Sequence, residues 1–150
     1  MAKNRMGARV TPESNRRVQQ QFDKVDRAAT EQLSAVVFET ATNIHSDTVR
    51  SAPVVTSSLK TSYQVDTRKI KQQEASVYTE NYYSVYVEYG TGIYAEGGGG
   101  RQTPWSYINV YGEWVTTQGQ RPQPHFRPAI QKHEERFFKA VDNLIKQSLK

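Results

Sequence analysis

The chain has no cysteine among its 150 residues, only two methionines and two tryptophans, and no long hydrophobic run. Without cysteine there are no disulfides, no thiolate metal ligands and no cysteine nucleophile. Redox chemistry therefore gives no reading of the compartment, and a cytosolic origin is the default expectation. Only 36% of residues are hydrophobic and the mean hydropathy is −0.77. One domain with a modest core is expected at this length, small in relation to its surface. Either part of the chain projects from the globule, or partner subunits complete the apolar area. No stretch approaches the roughly 20 apolar residues of a membrane span, and the charged N-terminus lacks the apolar segment of a signal peptide. The expectation is a soluble protein with no membrane partner.

Catalytic signatures are equally sparse. His45, His125 and His133 do not stand at metal-ligand spacing, and no carboxylate pair flanks them in a zinc pattern. Ser57-Ser58 lacks a nucleophile elbow. The four glycines at 97–100 are followed by Arg101 rather than by Gly-Lys-Ser/Thr, so they are not a phosphate loop. No carboxylate–lysine cluster of a metal-dependent nuclease stands out. No catalytic residue, metal or cofactor is assigned, and the chain reads as a non-enzyme. Glu88 is the one acid whose surroundings invite a shifted pKa. It reads either as a catalytic acid or as an anchor for a neighbouring loop or partner, and the second reading is favoured. His133, on an apolar helix face, reads as a packed, hydrogen-bonded histidine, and His125 as an interface residue.

What the chain does contain is unevenly placed charge and clustered tyrosine. Residues 1–17 hold five bases (Lys3, Arg5, Arg9, Arg16 and Arg17) against one acid, a balance of +4. Residues 121–150 hold seven bases against three acids, again +4, while the middle carries −3. Basic ends attract polyanions non-specifically. Lys3, Arg5, Arg9, Arg16 and Arg17 are therefore candidate DNA contacts, and a nucleic-acid-binding module using the basic arm and the C-terminal helix is the alternative functional reading. Solubilising termini explain the same charges. All nine tyrosines lie between Tyr63 and Tyr111.

In chain order, residues 1–13 carry Gly7 and Pro12 without periodicity and read as a flexible basic arm, with residues 14–150 as a single domain. Val18, Phe22, Val25, Ala29, Leu33, Val36, Val37, Ala41, Ile44 and Thr48 then recur at spacings of three and four. That predicts one amphipathic helix over about 15–50, roughly 50 Å long, whose first half overhangs the core. Two shorter helices broken near 28–31 would fit the same pattern. Pro53 stops the run, and 52–62 read as a turn feeding an extended segment. Tyr63, Val65 and Thr67, then Ala75, Val77 and Thr79, alternate with polar neighbours as a hairpin would. Its basic turn, with Arg68, Lys69 and Lys71, reads as solvated loop. The stretch 81–92 (NYYSVYVEYGTG) sits in a tyrosine-rich, sheet-forming block and runs into a mobile glycine loop at 92–101 that orders only against a neighbour. Two short strands follow around Gly112. A proline-rich extended segment then leads to a second amphipathic helix from Phe126 to the C-terminus, where Pro128 suits the first turn.

Three of these stretches, in order, resemble one family. Residues 52–62 (APVVTSSLKTS) are similar to an APV-D-T-G-x-L-R/K-x-S signature, 83–92 (YSVYVEYGTG) to YAxYVEFGTG, and 119–129 (GQRPQPHFRPA) to GxxPQPFLRPA. These are motifs of a bacteriophage neck and tail-completion family, the minor tail or head–tail joining proteins of long-tailed phages. The resemblance covers about residues 35–145. Val55, Ser57, Ser84 and the pair His125-Phe126 depart from the family pattern. The resemblance implies an α+β fold, with a long N-terminal helix and a C-terminal helix packed on a small, mostly antiparallel β-sheet. It implies a homo-oligomeric ring, sixfold in that family, at the head–tail junction of the virion, with viral DNA in the lumen. Its partners would be head-closure or adaptor proteins and tail-terminator or tail-tube proteins, and assembly would take place in the host cytoplasm. Under this reading Tyr83, Tyr86, Glu88, Tyr89, Gly90, Gly92, Trp105, Trp114, Pro124, His125, Phe126 and Arg127 are the expected subunit or partner interface. Gly90 and Gly92 would launch a loop toward the next ring component.

Overall fold

The computed structural model describes residues 12–54 and 57–148. Residues 1–11 of the expected arm, with the candidate DNA contacts Lys3, Arg5 and Arg9, lie outside them. Helix α1 spans Pro12–Ser51 as one uninterrupted element of 40 residues, about 60 Å long. It is not broken at 28–31, and it begins inside the stretch read as arm, because proline is accommodated in a first helical turn. Past Ser51, Pro53 lacks the N–H that another turn would need.

The remaining elements gather around the carboxyl-terminal half of α1. A short helix α2 (Ser57–Ser62) leads directly into strand β1 (Tyr63–Asp66), which pairs antiparallel with β2 (Ser76–Thr79). The register sets Tyr63 opposite Thr79 and Val65 opposite Val77. Helix α3 (Tyr83–Tyr89) follows. A second antiparallel hairpin, β3 (Trp105–Ile108) and β4 (Trp114–Thr117), is a separate two-stranded sheet. Helix α4 (Phe126–Ser148) then packs along α1. The architecture is α+β, with its sheet divided into two ribbons.

Two segments differ from their expected conformation. Residues 57–62 form a helical turn and not an extended lead-in, and the Thr61 and Ser62 hydroxyls bond back to carbonyls three residues earlier. Ser62 Oγ donates to the Leu59 carbonyl at 2.7 Å, and Leu59 alone is driven into the core. Residues 83–89 form a helix and not a strand. Ser84, Val87 and Glu88 are the buried positions, a spacing of three and four, while Tyr83, Val85, Tyr86 and Tyr89 stay exposed. A strand would have buried alternate residues. Asn81 settles the choice locally, since its Oδ1 accepts the Tyr83 N–H at 3.0 Å and its carbonyl the Ser84 N–H at 3.0 Å.

The core is small, as the composition implied. Ala52, Leu59, Tyr63 and Val87 form it, with Val49 and Phe126 packed against them. A polar clamp joins the two long helices. Asp47 on α1 accepts hydrogen bonds from Lys132 Nζ at 2.7 Å and His133 Nε2 at 2.8 Å on α4, and pairs with Arg50 on its own helix. His133 is the packed, hydrogen-bonded histidine that its helix face predicts. The Lys132 and His133 bonds hold the Asp47 carboxyl at about 2, down from 3.8.

The glycine segment is not a free loop. Gly92–Tyr94 and Glu96–Gly98 are 3₁₀ turns. The 90–93 strip lies against 118–120, with Thr91 N–H bonded to the Gln120 carbonyl at 2.9 Å and Ile93 N–H to the Gln118 carbonyl at 3.0 Å. The two backbones meet too closely for side chains. A Cβ on Gly92, whose φ is +60°, would stand 1.9 Å from the Gln118 oxygen, and one on Gly119 2.0 Å from the Thr91 oxygen. Gly92→Ala should therefore destabilise the chain by more than about 2 kcal/mol in urea unfolding. Gly99→Ala, which meets nothing within 4 Å, should change stability by less than about 0.5 kcal/mol. Equal effects would show that close approach is not what this strip requires.

Candidate functional site

The most heavily bonded residue in the stretch 81–92 is Glu88, placed by α3 with its carboxylate facing the start of α4. It is 5% exposed. One oxygen, Oε2, accepts the backbone N–H groups of His125 at 2.9 Å and Phe126 at 3.0 Å. The other, Oε1, accepts the backbone N–H of Arg127 at 3.0 Å and its Nε at 3.1 Å. Burial opposes ionisation of this carboxyl, but the three backbone bonds and the guanidinium outweigh it and lower its pKa. A negative charge also suits the positive end of the α4 dipole. Glu88 is a helix cap supplied from a distant segment. Both carboxylate oxygens accept from donors of the same chain.

The cap spreads into its surroundings through its donors. Arg127 also reaches the Glu96 carboxylate with both terminal nitrogens, at 2.9 and 2.8 Å, and stacks over the Tyr89 ring at 4.4 Å. It therefore pins the glycine turns to α4. His125 is 1% exposed, its Nδ1 3.0 Å from the Gln123 carbonyl and its Nε2 2.8 Å from the Tyr63 hydroxyl. A proton on Nδ1 suits the carbonyl and leaves Nε2 to accept from tyrosine. Burial, with the nearby Glu88 charge, pushes the Tyr63 hydroxyl up to about 12, which keeps it a donor.

The residues expected at an interface thus divide into two sets. Glu88, Gly90, Gly92 and His125 are buried, Phe126 and Arg127 are half-buried, and all six serve contacts inside the chain. Within the chain, Gly90 and Gly92 receive the 118–122 segment. Tyr83, Tyr86, Tyr89, Trp114 and Pro124 are exposed, and Trp105 is half-buried. Tyr83, Tyr86, Trp105 and Tyr107 line an open cleft of about 290 Å³ between α3 and the second hairpin. Arg16 is exposed on the free part of α1. In the basic turn of the first hairpin, Arg68 is held by Asp66 and Lys69 by Glu74 at 3.1 Å. That arrangement suits the solvated-loop reading.

Two surfaces extend beyond the expected interface residues, of which only Trp114 belongs to the first. The tip of the second hairpin carries Ile108, Val110, Tyr111 and Trp114 into solvent, Trp114 at 74% and Tyr111 at 82% exposure. Asn109 organises that tip, its Oδ1 accepting from the Tyr111 and Glu113 N–H groups. The second is an apolar groove of about 480 Å³ bordered by α1, α4 and the first hairpin. The available signal was Phe138, a large apolar residue off the main stripe of its helix.

Glu88→Gln should lower stability by about 2–4 kcal/mol at neutral pH, since an amide nitrogen would face the α4 donors. The native carboxyl has a depressed folded pKa, so its contribution is present above the ordinary carboxylate pKa and lost as pH falls through the folded value. Acid titration of the wild type, followed by circular dichroism, should show that loss. The Gln variant should show a shallower acid dependence at the same positions of the curve. An identical pH dependence in both proteins would mean that Glu88 is not the charged cap described.

A family model described as "Bacteriophage HK97-gp10, putative tail-component" matches residues 16–90, half of the chain. No curated protein and no solved structure matches it.

Proposed function

We propose a structural role at the head–tail junction, from the premise that the chain belongs to the HK97-gp10-like family of bacteriophage tail components. Membership gives a virion protein that meets other virion proteins. The finer reading is a ring-forming subunit of the neck, sixfold, that completes the tail end and joins it to the head with DNA in the lumen.

The observation that carries this reading is the distribution of apolar side chains. The amino-terminal half of α1 stands beyond the rest of the fold with Phe22 and Val25 facing solvent. At another part of the chain, the second hairpin holds an aromatic tip in solvent. Two different unfinished surfaces on one subunit suit heterologous contacts, in which one surface meets a different surface of the next copy and rotation closes the ring. Exposed tyrosine and tryptophan are the residue types enriched at such contacts. The cap at Glu88 supports a non-enzymatic role, since the acid best placed for chemistry is committed to holding α4.

Image reconstruction of assembled particles should place a closed ring of this chain between capsid and tail. Absence of the chain from particles, or its repetition along the tail shaft, would overturn the reading. Trp114→Ala should leave the free chain's stability within about 0.5 kcal/mol, because the ring is solvated, yet lower the amount of chain incorporated into particles severalfold. Normal incorporation would remove the second hairpin from the proposed contact.

A further inference from the structure

Helix α1 carries an unpartnered apolar stripe on its overhanging half, and the fold leaves an apolar groove open beside its other half. Phe22, Val25 and Ala29 mark the stripe at positions i, i+3 and i+7, the spacing by which an amphipathic helix anchors itself in a groove. Phe22 is 68% exposed and Val25 48%. The groove is lined by Val37, Ala41 and Ile44 of α1 and by Ile130, Phe137 and Phe138 of α4, with Phe138 itself 61% exposed. Its volume of about 480 Å³ lies in the ~300–1,000 Å³ range of pockets that bury a bound group.

The stripe cannot fill the groove of its own chain. Residues 25 and 40 belong to one continuous helix, which holds them about 22 Å apart. The occupant of each must come from outside, and the charges match each other. Residues 16–30 carry Arg16, Arg17, Lys24 and Arg27 against Asp23 and Asp26. The groove lining includes Glu74 and Glu134 and no base, with Glu74 paired to Lys69 at its edge. A net positive helix thus faces an acidic-rimmed apolar channel, and both are present on every copy.

We propose that the amino-terminal half of α1 of one copy lies in the α1–α4 groove of a second copy, with Phe22 and Val25 against Phe137 and Phe138. This rests on the ring reading above for the direction in which copies follow one another, and it names the helix and groove that link them. Docking covers the exposed stripe and the groove at once.

The absence of native cysteine makes the contact directly testable. Particles would be assembled from full-length chain carrying Phe22→Cys and Phe138→Cys together, then oxidised and analysed under denaturing conditions, beside particles carrying either change alone. Both positions are largely exposed, so thermal melting of the free variants should match the wild type. The expected result is a disulfide-linked ladder ending at the ring's copy number with the double variant, and no ladder with either single variant. A closed disulfide-linked dimer alone would support the groove contact and overturn the ring. Rings seen by microscopy without a 22–138 link, or position 138 linking to a different virion protein, would overturn the groove contact and leave the ring standing.

Discussion

The fold depends on one buried carboxylate at the start of a helix. A helix leaves its first four N–H groups without intrahelical acceptors. At α4 these belong to His125, Phe126, Arg127 and residue 128. Glu88 accepts the first three, and residue 128 is a proline with no N–H to satisfy. A single side chain and a single imino acid therefore complete the helix terminus. Because the acceptor is ionised and its donors are backbone groups fixed by the helix, these bonds are of the stronger, charge-assisted kind. The same geometry sets the position of α3 relative to α4, since Glu88 reaches the donors only when Ser84 and Val87 face inward.

From that point, order passes outward through groups that each make more than one bond. Arg127 ties the cap to Glu96 and so to the glycine turns. His125 ties it to Tyr63 and so to the first hairpin, while His45 on α1 approaches the Tyr63 carbonyl at 3.1 Å. Among the described residues no buried side-chain nitrogen or oxygen lacks a partner. This matters because the apolar core is confined to a few side chains, and an unpaired polar group there would cost about as much as several methylene groups contribute. In this chain, polar satisfaction carries a share of the fold's specificity that a larger core would otherwise supply.

The sequence was legible wherever periodicity or punctuation carried the signal. The apolar spacing of α1, the first hairpin, the two short strands around Gly112, the stop at Pro53 and the start of α4 near Pro128 all appear in the structure. It was misleading at 83–89, where β-branched and aromatic residues have strand propensity but Asn81 and the burial of Ser84, Val87 and Glu88 impose a helix. Tertiary context overrides propensity in so short a segment. It was silent on what Glu88 holds, because a cap supplied from a segment 37 residues away leaves no local pattern. The glycines illustrate the same limit. Gly92 and Gly119 are glycines because two backbones meet there, whereas Gly97 and Gly98 have open space around them, and composition alone does not separate the two cases.

The division between interior and exterior departs at several positions from what residue type suggests. Glutamate, histidine and arginine organise the interior, while phenylalanine, tryptophan and tyrosine are displayed on α1, α4 and the second hairpin. A monomeric protein of this size would gain by covering such side chains, since burying a large one is worth about 1.5–3 kcal/mol. This chain leaves them exposed on elements whose own geometry is set by hydrogen bonds: a continuous helix, an Asn109-organised turn and a capped helix. Such surfaces keep their shape without a partner, so association need not first order them, and less of the interaction is lost to conformational entropy. For a family of tail components, that combination separates the two requirements on a subunit. Polar bonds hold its interior together, while large apolar side chains stay on its surface.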